Sequence, residues 1–91
     1  MKFTWDEAKR KTNLAKHGFD FADTGTVFAG MTYTFGDDRT YYGEGRFITF
    51  GMLKGRTVLI AHTEDDDEIR IISMRKATRR EQKKYFQGFG D

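Results

Sequence analysis

The chain has 91 residues, of which 37% are hydrophobic, and this length corresponds to one small domain. It has no cysteine, and His17 and His62 are its only histidines, which excludes disulfides, thiolate metal sites and histidine-rich metal sites. The net charge is only +2, but six cations and one anion lie between residues 75 and 84, and this concentration indicates a phosphate-rich partner.

Two helices are predicted at the start of the chain. The first covers residues 6–17, with Asp6 in position to cap its N-terminus. The second covers residues 20–29, with Asp20 as its cap. A glycine follows each segment and can end the helix.

Four strands are predicted after these helices, because the hydrophobic pattern changes to alternation and β-branched residues become frequent. The strands cover residues 31–35, 46–53, 56–63 and 68–75. A loop at residues 36–40, a tight turn at Lys54–Gly55 and a turn at residues 64–67 separate them. Short connections of this kind favour an antiparallel meander.

A last helix is predicted from Thr78 to about Gly88, because Thr78 and Glu81 have the spacing of a capping box. The complete pattern is an α+β domain with two N-terminal helices, a four-stranded antiparallel β-meander and a C-terminal helix. We expect the helices to cover one face of the sheet and to leave the other face free for binding.

Alternation also predicts which side chains share a face of the sheet. In the third strand it places His62 and Glu64 side by side near the strand's end. It divides the fourth strand into two sets, which are Arg70, Ile72 and Met74 on one face and Ile69, Ile71, Ser73 and Arg75 on the other.

The available side chains suit RNA strand cleavage, which needs neither a metal ion nor a cofactor. The 2′-hydroxyl attacks the neighbouring phosphorus while a base takes its proton and cations stabilise the charged phosphate. Arginine binds two phosphate oxygens through its planar fork. The candidate catalytic residues are His62, Glu64, Arg70, Arg75 and Arg79. The candidate RNA-binding residues are Arg46, Lys76, Arg80 and Tyr85.

Each of these residues also has a structural interpretation. A single strand histidine such as His62 more often packs or forms a hydrogen bond, and Glu64 can simply pair with Arg70 across the turn. Tyr85 can pack the helix against the sheet instead of stacking on a base. The basic run can be a solvated helical face.

Several segments, taken together, resemble the BrnT family, the toxin half of a bacterial type II toxin–antitoxin pair. These segments are Trp5–Lys9, Asn13–Gly18, Phe21–Ala22, Tyr42–Arg46, His62–Glu64 and Arg70–Glu81. The resemblance implies a RelE-like fold and a metal-independent endoribonuclease that inhibits translation and growth.

The resemblance also implies a cognate antitoxin of the BrnA type with a ribbon-helix-helix DNA-binding part. The complex would repress its own operon, contact operator DNA only through the antitoxin and contain a toxin dimer within a heterotetramer.

We expect a cytoplasmic protein, because no segment approaches the ~20 apolar residues of a membrane span and the first residues contain no apolar signal core.

Two positions depart from the family's pattern. An acidic run at residues 64–68 stands where the family usually has a basic residue after Thr63–Glu64, and we expect its charge to raise the pKa of His62. Met74 stands where the family often has alanine.

The acidic run favours an alternative function, a catalytically degenerate toxin that acts by antitoxin binding and operon autoregulation. A further alternative is a plain nucleic-acid-binding domain that contacts phosphate through the last helix.

Overall fold

The computed structural model describes residues 2–37 and 45–89, which form a five-stranded mixed sheet with helices on both faces. The strands are β1 (Lys2–Trp5), β2 (Tyr33–Gly36), β3 (Arg46–Leu53), β4 (Arg56–Glu64) and β5 (Glu68–Lys76). The helices are α1 (Glu7–His17), a short 3₁₀ helix (Phe21–Asp23), α2 (Thr24–Ala29) and α3 (Arg79–Phe89). None of the described helices is long and apolar enough to cross a membrane.

The sheet has the strand order β1-β5-β4-β3-β2. Strands β2 to β5 form the predicted antiparallel meander, and the Lys54–Gly55 turn between β3 and β4 is confirmed. Both turn residues have positive φ, 52° and 77°, as the tightest hairpin turns require. The prediction of four strands is incomplete, because β1 adds a fifth strand that pairs in parallel with β5 and makes the sheet mixed.

The first helix has the predicted ends. Asp6 Oδ1 accepts hydrogen bonds from the backbone amides of Ala8 and Lys9 at 2.8 and 3.2 Å. At the other end Gly18 adopts a φ of 78° and donates its amide hydrogen to the Leu14 carbonyl. Local capping chemistry therefore fixes the length of α1.

The second predicted helix is divided into two pieces, so the prediction of one continuous helix over residues 20–29 is wrong. Asp20 caps a 3₁₀ helix by accepting a hydrogen bond from the Ala22 amide. The buried Thr24 hydroxyl then donates to the Phe21 carbonyl, and α2 begins at Thr24. The side chain thus closes a short turn before the α-helix starts.

The helices are distributed over both faces of the sheet, which corrects the expectation of one covered and one free face. One core lies between the sheet and the N-terminal helices, and its buried members are Phe19, Phe21, Val27, Leu53, Val58, Ile60, Ile69, Ile71 and Met74. A second core lies on the other face, under α3, and its buried members are Ile48, Phe50, Leu59, Ala77 and Tyr85. We call these the α1 face and the α3 face.

A β-bulge changes the predicted faces of β5. The register runs from Ala61 opposite Ser73 to His62 opposite Ile71, so Ile72 is an extra residue in β5. The observed sets are Ile69, Ile71 and Met74 on the α1 face and Arg70, Ser73 and Arg75 on the α3 face. The predicted grouping of Arg70 with Met74 is wrong because one inserted residue reverses the alternation.

The capping box at the start of α3 is confirmed. The Glu81 amide donates to Thr78 Oγ1 at 3.2 Å, and Glu81 Oε1 accepts from the Thr78 amide at 2.8 Å. Most of the predicted loop at residues 36–40 and the Tyr42–Glu44 part of the family motif lie outside the described residues, while Gly36 ends β2.

Candidate functional site

His62 lies in the interior of the protein, on the α1 face, and its side chain is fully buried. Phe28 meets its ring edge-on at a centroid distance of 5.5 Å, and Phe47 stacks on it at 5.9 Å. Its Nε2 lies 2.6 Å from the Thr49 hydroxyl. A histidine enclosed in this way cannot reach a phosphodiester at the surface unless the core opens.

Burial lowers the pKa of His62, because an apolar environment disfavours the charged imidazole. The expectation that the acidic run raises this pKa is wrong. The charge of Glu64 does act in that direction, but Glu64 Oε1 is 3.9 Å from His62 Nδ1 and its effect is smaller than that of burial. His62 and Glu64 are neighbours, as alternation predicts, with His62 in the core and Glu64 exposed at the strand end.

A group of accessible polar side chains lies on the α3 face, in a groove of about 430 Å³ that we call the α3 groove. Its floor is apolar and consists of Phe35, Ile48, Phe50 and Leu59. Its rim is polar and consists of Gly36, Asp37, Arg75, Glu81 and Lys84. An apolar floor with a few charged groups above it is the usual composition of a ligand site.

Arg75 and Glu81 form a bidentate ion pair at the edge of the α3 groove. Arg75 Nη1 and Nη2 donate to the two carboxylate oxygens of Glu81, each at 2.8 Å. Arg75 lowers the pKa of Glu81 to about 2, so this carboxylate is ionised at neutral pH. The pair fixes the position of the Arg75 guanidinium relative to the groove.

Lys84 supplies a second cation to the groove. Its Nζ lies 4.6 Å from the centre of the Phe35 ring, within the range of a cation–π contact. Because Lys84 follows Glu81 by three residues in the helix, the two side chains project from the same side of α3. The groove therefore contains two cations, two acidic residues (Asp37 and Glu81) and an aromatic surface.

The other predicted cations lie outside the α3 groove. Arg79 and Arg80 are exposed in the first turn of α3. Lys76 is exposed at the end of β5 opposite Val58, which places it on the α1 face. Arg46 and Arg70 lie on the α3 face. The Arg46 carbonyl accepts the amide hydrogen of Asp37, a residue of the groove, whereas Arg70 lies at the far end of β5 from Arg75. Residues predicted for one site are thus divided, with His62 on the α1 face and the arginines of the sheet on the α3 face.

Tyr85 does not present its ring to the groove. It is buried against Phe50, with ring centroids 6.2 Å apart, and its hydroxyl donates to the Met31 carbonyl at 3.1 Å. The structural interpretation of Tyr85 as a packing residue therefore fits its position, and base stacking by this ring does not.

The alternative pairing of Glu64 with Arg70 is not formed among the described residues. Instead both side chains border a polar depression of about 350 Å³ at the end of the sheet. Its lining consists of Gly45, Thr63, Glu64, Asp65, Glu68 and Arg70. Within residues 2–37 and 45–89, no three histidine or carboxylate side chains converge in a way that could hold a metal ion.

Phe35, Glu81 and Lys84 contribute to the α3 groove but do not belong to the set predicted from the sequence. The sequence indicates Glu81 only as a helix cap, although its position six residues after Arg75 allows it to reach back to the strand. Phe35 could not be assigned, because its contact with Lys84 depends on how α3 packs over β2.

Comparison with known proteins identifies a match over most of the chain. A family model described as the ribonuclease toxin BrnT of a type II toxin–antitoxin system matches residues 5–81. A comparison with curated proteins found no significant match. The matched range includes β1 in part, the whole sheet that follows it, and the Arg75–Glu81 pair.

Proposed function

Since the chain belongs to the BrnT family of type II toxin–antitoxin ribonuclease toxins, we propose that it cleaves RNA in the α3 groove without a metal ion. The observation that carries this proposal is the groove itself, which combines the Arg75–Glu81 pair with Lys84 over the Phe35 ring. A phosphodiester needs cations around its oxygens, and a base needs an apolar surface. Both are present within one groove.

In the proposed reaction, the 2′-hydroxyl oxygen gives its proton to water and attacks the adjacent phosphorus, and the bond to the 5′-oxygen breaks as that oxygen takes a proton from water. Negative charge increases on the phosphate oxygens in the transition state, where Arg75 and Lys84 stabilise it. Arg79, exposed in the first turn of α3, adds positive charge at the rim. Because His62 is buried on the other face, the proposed site does not include it.

Glu81 is a positioning residue in this scheme. Its pKa of about 2 makes it a weak base, so its main contribution is to hold the Arg75 guanidinium at the groove. Most of the rate enhancement then comes from electrostatic stabilisation by fixed cations rather than from proton transfer.

Membership of a type II toxin–antitoxin family implies an antitoxin partner. We propose that this antitoxin is of the BrnA type with a ribbon-helix-helix part, and that it neutralises the toxin by covering the α3 groove. RNA cleavage would inhibit translation and growth. Operator DNA would be contacted only through the antitoxin, within a heterotetramer that contains a toxin dimer.

The test uses two end-labelled RNAs and purified protein in excess EDTA. The second RNA carries a 2′-deoxy nucleotide at the cleavage position mapped on the first. We expect cleavage of the first RNA to leave a 2′,3′-cyclic phosphate, and we expect the second RNA to remain intact at that position. Cleavage of the deoxy-substituted position, or a requirement for Mg²⁺, would contradict the proposed mechanism.

The Arg75–Glu81 pair also favours a second candidate function, because the fork of Arg75 is occupied by a carboxylate. In this alternative the chain is a catalytically degenerate toxin that binds its antitoxin and assists repression. Tight antitoxin binding without an effect on growth, and without RNA cleavage even when ribosomes are added, would support the alternative. Growth inhibition that depends on Arg75 would exclude it.

A further inference from the structure

Three exposed apolar side chains lie close together on the α3 face, at the end of the sheet that carries the Lys54–Gly55 turn. Among the side chains that the structure describes, those of residues 2–37 and 45–87, the exposed large hydrophobic ones are Leu14, Met31, Met52 and Phe86. Leu14 belongs to α1 and lies apart from the others. We call Met31, Met52 and Phe86 the apolar patch.

Tyr85 connects two members of the apolar patch. Its hydroxyl donates to the Met31 carbonyl at 3.1 Å, and its ring meets the Phe86 ring edge-on at a centroid distance of 5.2 Å. Tyr85 itself is buried, whereas Met31 is 66% exposed and Phe86 57% exposed. Two large apolar side chains thus face solvent on either side of a residue that packs α3 against the sheet.

Met52 lies beside Met31. A Cβ atom added at Gly51 would be 3.4 Å from Thr32 Cγ2, so these two residues continue the register in which β2 pairs with β3. The next positions along the two segments are Met31 and Met52. Alternation places Met52 on the α3 face, about 7 Å along β3 from Phe50. The three patch residues therefore form one contiguous surface.

The apolar patch and the α3 groove lie on opposite sides of α3. Tyr85 faces the sheet, and Lys84, one residue earlier, lines the groove. Since each residue of an α-helix is rotated by about 100° from the one before, Phe86 projects from the other side of Tyr85. Met31 and Met52 do not line the groove either. A partner can therefore occupy the patch without displacing the groove residues.

Positive charge borders the apolar patch. Arg79 and Lys83 precede Phe86 by seven and three residues, so all three lie along one side of α3, and both cations are exposed. The only carboxylate in the sequence of α3 belongs to Glu81, which is bound to Arg75 at the groove. A second copy of the chain, placed on the patch by two-fold symmetry, would bring four cations around one interface. The patch therefore fits a different chain, with apolar and acidic side chains.

We propose that the apolar patch anchors the antitoxin by binding an acidic amphipathic segment of it. The apolar side chains of this segment contact Met31, Met52 and Phe86, and its carboxylates contact the cations of α3. This inference rests on the proposed function in one respect, the antitoxin partner that membership of a toxin–antitoxin family implies. Contiguous exposed apolar side chains with a polar border are typical of protein interaction sites, and flexible methionines adapt to the partner's surface.

The first experiment titrates the full-length chain calorimetrically with the purified antitoxin that is encoded in the same operon. We expect Phe86→Ser and Met31→Ser each to raise the Kd by about tenfold or more, because each removes an apolar contact at the centre of the interface. Leu14→Ser is the matched control, since Leu14 is an exposed large hydrophobic residue on α1, and it should bind as the wild type does. Circular dichroism verifies that each variant is folded.

The charged border is tested by charge reversal in the same titration. Lys83→Glu should raise the Kd by about tenfold and reduce the dependence of the Kd on salt concentration, because it opposes the acidic segment. Lys16→Glu, an equal change in net charge at an exposed position of α1, is the control. If the patch variants bind as Leu14→Ser does, or if the operon's antitoxin does not bind the wild type, the proposed anchor is refuted.

A second experiment separates the anchor from the proposed cleavage activity. Phe86→Ser and Met31→Ser should cleave RNA in EDTA at the wild-type rate, since neither residue belongs to the α3 groove. If the wild type cleaves no RNA but antitoxin binding depends on Phe86, the proposed cleavage fails and the anchor stands. Loss of RNA binding in Phe86→Ser with unchanged antitoxin affinity would assign the patch to RNA. A wild-type dimer that dissociates in Phe86→Ser during sedimentation would assign it to a second copy, and either result overturns the proposal.

Discussion

Arg75 and Glu81 join the last strand of the sheet to the last helix through two parallel hydrogen bonds, both 2.8 Å long. The same carboxylate accepts the Thr78 amide, so Glu81 caps α3 and orients Arg75 at once. A carboxylate that accepts hydrogen bonds from both a helix N-terminus and a guanidinium has little freedom to move. The position of the principal cation of the α3 groove therefore depends on a residue that has a local structural role.

The first prediction concerns the acid stability that this pair provides. The pKa of Glu81 is about 2 in the folded protein and about 4.5 in an unfolded chain, so its contribution is complete above pH 4.5 and is lost as the pH falls towards 2. Since both side chains are partly exposed, we expect the loss to be about 1–2 kcal/mol. Urea unfolding between pH 2 and 6 measures it. Glu81→Gln should remove this part of the pH dependence, whereas the surface variant Asp66→Asn should keep it.

The second prediction concerns the buried His62. In the folded protein the pKa of His62 is below the ordinary value of about 6.5 that applies to the unfolded chain. At pH values between these two pKa values, the unfolded chain binds a proton that the folded protein does not bind. The free energy of unfolding should therefore decrease as the pH falls below about 6.5. Because the chain has only two histidines, NMR can follow His62 after His17→Gln removes the other signal. A His62 signal that titrates above pH 6.5 would contradict the assignment of a buried neutral imidazole.

The ends of the regular elements could be predicted from local sequence, but the relative placement of distant segments could not. Asp6, Gly18, Thr78 and the Lys54–Gly55 turn each act on neighbouring backbone groups, and their effects were predicted. Strand β1 has only four residues, and its partner β5 is more than sixty residues away in the chain. Nothing within such a short segment indicates this pairing.

The candidate site was predicted in composition but not in arrangement. Arg75 and the basic residues of α3 follow from charge, whereas the grouping of Arg70 with Arg75 depends on the bulge at Ile72. One inserted residue moves every following side chain of the strand to the opposite face of the sheet. The sequence carries no clear signal for this insertion. The burial of His62 likewise results from Phe28 and Phe47, which come from two separate elements.

The third prediction concerns Asn13, a buried polar residue that attaches α1 to the sheet. Its Nδ2 donates to the Phe19 and Met74 carbonyls at 3.2 and 2.8 Å, and its Oδ1 accepts from the Met74 amide at 3.2 Å. Asn13→Ala leaves these buried backbone groups without partners, so we expect a loss of about 2–3 kcal/mol in the free energy of unfolding. Thr12→Ala, an exposed substitution in the same helix, should change it by less than about 0.5 kcal/mol. Equal effects of the two substitutions would refute this role of Asn13.

The fourth prediction concerns the close approach of α2 to β3. A Cβ atom added at Gly51 would lie 2.5 Å from Val27 Cγ1 and 3.4 Å from Thr32 Cγ2. Val27 is buried and β-branched, so it cannot move aside easily, and Gly51→Ala should destabilise the fold by about 1–3 kcal/mol. Gly36→Ala is the control in the neighbouring strand, because no atom lies within 4 Å of the added Cβ there. Thermal unfolding of both variants measures the difference, and an unchanged Tm for Gly51→Ala would show that the contact is not restrictive.

The most direct test of the central claim compares RNA cleavage by the wild type, Arg75→Ala and Arg56→Ala in excess EDTA, with folding of each protein verified by circular dichroism. Arg56 lies away from the α3 groove, so its removal makes the same change in net charge without altering the groove. We expect the wild type and Arg56→Ala to cleave at similar rates and Arg75→Ala to be slower by about 100-fold or more. Cleavage by folded Arg75→Ala at the wild-type rate would contradict the assignment of the active site to the α3 groove.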